Sequence, residues 1–211
     1  MIDRYTRKEM GDIWTLEQKF RAWLEVELAI CEGWHAMGVI PAADMATIRE
    51  KADFELDRIL ELEETTKHDV IAFLTSVTEK IGEDGRFIHL GLTSSDILDT
   101  SLGLILREAS GILLEDMDCL LAAIKEKAFT HRHTLMIGRT HGIHAEPVTF
   151  GLKMALWYKE MARNRDRLIR AREAISVGKL SGAVGTFSFV DPAIEEYVCR
   201  KLQLKPAPVS S

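Results

Sequence analysis

The chain has 211 residues, of which 46% are hydrophobic and 28% charged, the balance of a folded globular protein rather than a disordered or fibrous one. Its 27 lysines and arginines stand against 33 aspartates and glutamates, a net charge of −6 that argues against nucleic acid as a partner. No apolar run approaches the ~20 residues that span a bilayer, and the start MIDRYTRKEM is too polar for a secretory signal, so a soluble, cytoplasmic protein with no membrane contact is expected.

In chain order, apolar residues from Asp12 to Met37 (Ile13, Leu16, Phe20, Trp23, Leu24, Ile30, Trp34) recur at helical spacing, and Gly38 stops the stripe. Pro41 suits the start of a short helix through Lys51. A further short helix is expected over Phe54–Leu62, and another over His68–Ile81, closed by Gly82. After the loop GEDGRFIHLGLTSSD a helical pattern runs from Ser95 to His131, broken only by Gly103 and Gly111. Such a helix would be on the order of 50 Å long. A second long pattern covers Val148–Val177 and a shorter one Pro192–Leu204. Helices this long need other long helices beside them, which favours a bundle shared between subunits over an extended monomer. The expected fold class is all-α. A small N-terminal helical domain over residues 1–93 leads into the first part of a long-helix bundle over 94–211. Cys31, Cys119 and Cys199 are odd in number, far apart and set in apolar helical patterns, so they read as reduced packing residues.

Chemistry gathers in the breaks between helices. Lys67, His68 and Asp69 stand where a helix begins, and a helix N-terminus with added cations favours an anion; an ordinary charged helix entry would look the same. Thr93, Ser94 and Ser95 precede Asp96 at the head of the first long helix, giving more hydroxyls than one N-cap needs. The segment GRTHGIHAEP, residues 138–147, joins the two long helices. Arg139 can pair with an anion, Thr140 adds a hydroxyl, and His141 adds an imidazole able to exchange a proton. His131, His133, His141 and His144 raise the question of a metal, but no cysteine accompanies them and Arg139 would repel a cation. An anion-handling catalytic loop is the stronger expectation than a metal site or a plain connection. The small-residue stretch KLSGAVGT from Lys179 suggests a tight loop near a ligand or a packed neighbour, a weak signal on its own, and lacks the ending of a phosphate-binding P-loop. The basic run Arg163, Arg165, Arg167, Arg170 and Arg172 is interleaved with Glu160, Asp166 and Glu173, as on a solvated or subunit-facing helix.

Together, KHDVIAF, LGLTSSDILDT, GRTHGIHAEPVTFG and GAVGT resemble the fumarase/aspartase superfamily, and within it the branch whose members cleave adenylosuccinate. The resemblance spans essentially the whole chain. It implies a mainly helical three-domain fold, a homotetramer with active sites drawn from several subunits, and no cofactor or catalytic metal. The implied activity is reversible β-elimination of fumarate from adenylosuccinate, giving AMP, and from SAICAR, giving AICAR. By the same resemblance His141 is the general acid, with His68 close to the chemistry. Thr93 and Ser94 hold the succinyl carboxylates, Ser95 and Thr140 are second-rank substrate-site residues, Lys67 and Asp69 belong to the substrate-binding segment, and Arg4 and Tyr5 bind the nucleotide. His89 is a weaker candidate. The superfamily's mobile serine loop, with its SSxMPxKxN pattern and catalytic base, has no counterpart among these residues, so the chain resembles the N-terminal portion of such an enzyme and should be inactive alone. Another fumarate-releasing lyase, or a non-catalytic helical assembly module, remains as an alternative.

Overall fold

A computed structural model describes residues 2–210. The α-helices are α1 (Lys8–Ile13), α2 (Leu16–Ala36), α3 (Ala42–Lys51), α4 (Leu56–Thr66), α5 (Asp69–Ile81), α6 (Ser94–Thr130), α7 (Phe150–Ile175) and α8 (Pro192–Lys201). Among the described residues the strands form only two pairs. One is a hairpin of β1 (Leu135–Thr140) and β2 (Ile143–Thr149); the other joins β3 (Val177–Gly178) to β4 (Lys205–Pro206) in parallel. The helical class expected from the sequence is the one the chain adopts. It packs as two compact units. The first runs up to Glu108 and resumes at Ile175; the second is Ala109–Ala174.

The first unit is organised around α2. Thr15 caps it, its hydroxyl accepting from the Gln18 N–H at 3.2 Å. That cap separates α1 from α2, so the stripe expected as one helix from Asp12 is broken at Trp14–Thr15. Ile13 and Leu16 still keep the helical spacing across the break, which is why the pattern runs through it. Phe20 and Trp23 on α2 meet Phe73 of α5 and Phe54 in one aromatic cluster. Phe20 stacks on Phe73 at 5.7 Å between centroids, and Trp23 meets Phe73 edge-on at 5.4 Å. Each such pair contributes about 0.5–1.5 kcal/mol beyond the area it buries. Asp191 caps α8, accepting from the Ala193 N–H at 2.9 Å, with Pro192 in the first turn.

In α6 the two glycines do not break the helix. A Cβ on Gly103 would lie 2.6 Å from the Val177 carbonyl oxygen, so this position is reserved for a close crossing of backbone. Gly111 has no such neighbour: the nearest atom to its Cβ position is an Arg172 nitrogen at 3.8 Å. Cys31 and Cys199 are buried, but Cys119 is exposed. The packing role expected of all three therefore fails for Cys119, whose face of α6 is turned to solvent.

In the second unit, α6 and α7 are joined not by a loop alone but by the β1–β2 hairpin, with Leu135 paired to Thr149 and Thr140 to Ile143. The start of α7 is tied to the end of α6 by the Gly151 N–H, which donates to the His131 carbonyl at 2.9 Å. Arg165 closes the pair lengthwise, donating to both Asp118 oxygens at 2.6 and 3.0 Å, and this holds the Asp118 carboxyl below its ordinary range.

Candidate active site

The segment Lys67–Asp69 is set by two helix ends. Lys67 closes α4 in the left-handed conformation, φ 52°, with its ammonium 3.1 Å from Glu64 in solvent. His68 caps α5: its Nδ1 accepts from the Ile71 N–H at 3.4 Å. Its Nε2 has no partner among the described residues. Asp69 places one oxygen 2.8 Å from the Val70 N–H and the other 3.3 Å from the Lys19 ammonium. Lys19 in turn lies 4.4 Å from the Trp23 ring centroid. Thus α2 anchors the entry to α5.

The same helix anchors the loop before α6. Trp34 Nε1–H donates to the Leu90 carbonyl at 3.1 Å. Glu27, fully buried, accepts the His89 backbone N–H at 2.9 Å and lies 2.6 Å from His89 Nδ1. His89 is held at φ 63°, a left-handed conformation that a non-glycine residue keeps only when its surroundings impose it. Thr93 directly precedes α6, and Asp96 reaches back to accept the Thr93 N–H at 3.0 Å, the Asp96 half of a capping box. Thr93, Ser94 and Ser95 are half-buried at this helix head, where unpaired N–H groups and the helix dipole favour an anion.

Behind the helix head lies a buried polar knot. The Lys179 ammonium contacts Asp96 at 3.0 Å, Ser95 Oγ at 2.8 Å and the Gly182 carbonyl at 3.2 Å. Asp96 also accepts the Gly182 N–H at 3.2 Å, and Glu195 accepts the Leu180 N–H at 2.8 Å. Burial raises the Glu195 carboxyl above its ordinary pKa. The small-residue stretch that begins at Lys179 is therefore strapped to the TSSD segment.

At the start of the chain Arg4 and Tyr5 sit in a short 3-10 turn, both exposed, with the guanidinium 4.8 Å from the phenol ring centroid. Thr140 and His141 belong to the second unit. His141 and Gly142 are the two residues of the β1–β2 turn, at φ 52° and 74°, as in the primed turns that match strand twist. His141 is thereby exposed at the hairpin tip, an imidazole offered to an incoming group. Two of the neighbouring histidines are otherwise engaged: His131 Nδ1 lies 3.2 Å from the Thr134 hydroxyl, and Arg132 donates to His133 Nε2 at 3.1 Å.

The residues singled out from sequence thus fall into two sets. Arg4, Tyr5, Lys67–Asp69 and Thr93–Ser95 belong to the first unit, and Thr140 and His141 to the second. Glu27 and Lys179 were not singled out as site residues. Glu27 carried a readable signal, a charged residue four positions after Trp23 on the apolar stripe of α2. Lys179 stood at the head of the small-residue stretch, but nothing in that irregular segment pointed to its own side chain.

Residues 3–211 match the profile of the lyase family. Over its whole length the chain is 54% identical to adenylosuccinate lyase of Bacillus subtilis and 53% identical to that of Synechocystis sp.. It spans about half the length of these relatives, 49% of each. Among solved structures it is similar to a fumarate lyase from Mesorhizobium sp., with a TM-score of 0.90 and 27% identity, covering 98% of this chain and 51% of that one.

Proposed function

We propose, from the premise that this chain belongs to the lyase family, that it serves the reversible β-elimination of fumarate from adenylosuccinate, giving AMP, and from SAICAR, giving AICAR. The observation that carries this is the 54% identity to an adenylosuccinate lyase over all 211 residues. It works in a cytoplasmic homotetramer whose sites draw on several copies. In that assembly residues 1–93 form the N-terminal domain and 94–211 the first part of the central bundle.

Elimination removes a proton from the succinyl carbon next to a carboxylate. The electron pair passes to that carboxylate, and the C–N bond breaks as the nitrogen takes up a proton. His141 supplies the nitrogen's proton, a role suited to an exposed imidazole on a rigid turn. Thr93, Ser94 and Ser95, with Thr140, hold the succinyl carboxylates through hydroxyl and N–H donors. His68, with Lys67 and Asp69 beside it, supports the charge on substrate and acid. Arg4 pairs with the phosphate and Tyr5 contacts phosphate or ribose. The resemblance assigns the base that takes the carbon proton to a serine segment not contained in these residues, so the 211-residue chain alone does not turn over.

The test is an absorbance assay with adenylosuccinate on these residues completed to the relatives' length, with the 211-residue chain beside it. Fumarate and AMP should appear in equal amounts from the completed enzyme and not from the shorter chain. A completed enzyme that folds, binds no adenylosuccinate and releases no fumarate overturns the assignment in favour of another lyase substrate or an assembly role.

A further inference from the structure

The buried knot behind the head of α6 is more elaborate than the helix requires. Asp96 makes its half of the capping box with one oxygen alone, and the Thr100 hydroxyl already fixes the Lys179 backbone, accepting its N–H and donating to its carbonyl, each at 3.0 Å. The Lys179 side chain is nevertheless brought inside, where the residue is only 5% exposed. All three of its donors are spent: on Asp96 at 3.0 Å, the Gly182 carbonyl at 3.2 Å and Ser95 Oγ at 2.8 Å. A buried ion pair of this kind is no better for stability than well-packed apolar side chains. What only a cation at this position supplies is the third contact. By donating to Ser95 Oγ, Lys179 occupies a lone pair of that hydroxyl. The hydroxyl keeps its own proton to donate, turned away from the ammonium, and that proton has no acceptor among the described residues.

We infer that Lys179 is a positioning residue: it orients the Ser95 hydroxyl at the head of α6 so that its proton is offered to a carboxylate of the substrate. Lys179 touches no substrate, since its donors are used up inside the protein. Asp96 serves the same end by holding Lys179 and the Thr93 N–H on one carboxylate. The inference rests on the function proposed above, which supplies the anion.

A double-mutant cycle in the completed enzyme tests it, with kcat/KM for adenylosuccinate and thermal melting measured on each variant. Losing a hydrogen bond to a charged group predicts that Lys179→Met and Ser95→Ala each lower kcat/KM by about 10- to 150-fold. Because Lys179 acts through Ser95, Lys179→Met/Ser95→Ala should lose no more than the worse single variant. If Lys179→Met does not fold, Lys179→Met/Asp96→Asn replaces it in the cycle, because it leaves no buried charge unpaired and keeps an acceptor for the Thr93 N–H. A multiplicative loss in the combined variant, or an unchanged kcat/KM when Lys179 is replaced, overturns the inference while the function stands. A wild-type enzyme that releases no fumarate from adenylosuccinate overturns both.

Discussion

Glu27 and His89, 62 positions apart, are joined twice: one carboxylate oxygen accepts the His89 backbone N–H at 2.9 Å and the other lies 2.6 Å from its ring Nδ1. The first contact holds the loop in its left-handed turn, and the second fixes which ring nitrogen faces outward. Replacing Glu27 with alanine leaves a half-buried N–H and a ring nitrogen without their partner. The expected loss is about 1–3 kcal/mol per unsatisfied group, read as a lower urea midpoint with an unchanged slope. A midpoint within error of wild type would mean that the loop keeps its turn without the carboxylate.

The aromatic cluster gives a second expectation. Phe73 is fully buried and contacts Phe20, Trp23 and Phe54, so Phe73→Ala opens a cavity among rings that cannot easily close it. A loss of about 3–5 kcal/mol is expected by chemical denaturation.

Glu195 predicts a pH dependence. Burial raises its pKa in the folded protein above the ordinary 4.5, so as pH climbs the folded chain holds this proton after the unfolded chain has released it. Bound protons then favour the folded state, and its advantage falls as pH rises from about the unfolded value through the folded one. Glu195→Gln keeps the acceptor for the Leu180 N–H and removes the titration. Its melting temperature should fall less than that of wild type between pH 4.5 and 7.5. A steeper fall in the variant would mean that the carboxylate is better stabilised ionised than its burial implies.

Legibility in the sequence followed burial and periodicity. The two long helices were expected over Ser95–His131 and Val148–Val177 and are observed over Ser94–Thr130 and Phe150–Ile175, because stripes of many turns leave few alternatives. The β1–β2 hairpin was not legible. No residue of either strand is buried, so no core-facing side sets these residues apart from an exposed connection. The site divides in the same way. Thr93–Ser95 stood out as an excess of hydroxyls at a helix head, whereas the buried charges that hold them, Asp96 and Lys179, come from segments 83 positions apart. That pairing is a product of tertiary folding and leaves no local pattern.

Arg4 is expected to act on binding more than on rate. A phosphate held away from the reacting atoms is held alike in the ground and transition states, so Arg4→Ala should raise KM for adenylosuccinate and leave kcat nearly intact. Loss of a charge-assisted contact corresponds to about a 10- to 150-fold rise. An unchanged KM in a folded variant would assign the phosphate to other groups.

The turn that carries His141 ties backbone conformation to rate. His141→Gln in the completed enzyme should lower kcat by at least ~10²-fold, the usual loss when a general acid is removed, with a smaller change in KM. Gly142, next to it, is at φ 74° with no atom within 4 Å of the place a Cβ would occupy, so a substitution there meets no steric neighbour and is resisted by backbone conformation alone. A β-branched residue pays about 1–2 kcal/mol in the left-handed region, enough to shift the turn and re-aim the imidazole. Asparagine enters that region far more readily. Gly142→Val should therefore lose rate in the direction of His141→Gln, while Gly142→Asn stays near wild type, and both should melt close to wild type because the hairpin tip is exposed. Equal rates for the valine and asparagine variants would show that the turn's conformation does not govern the acid.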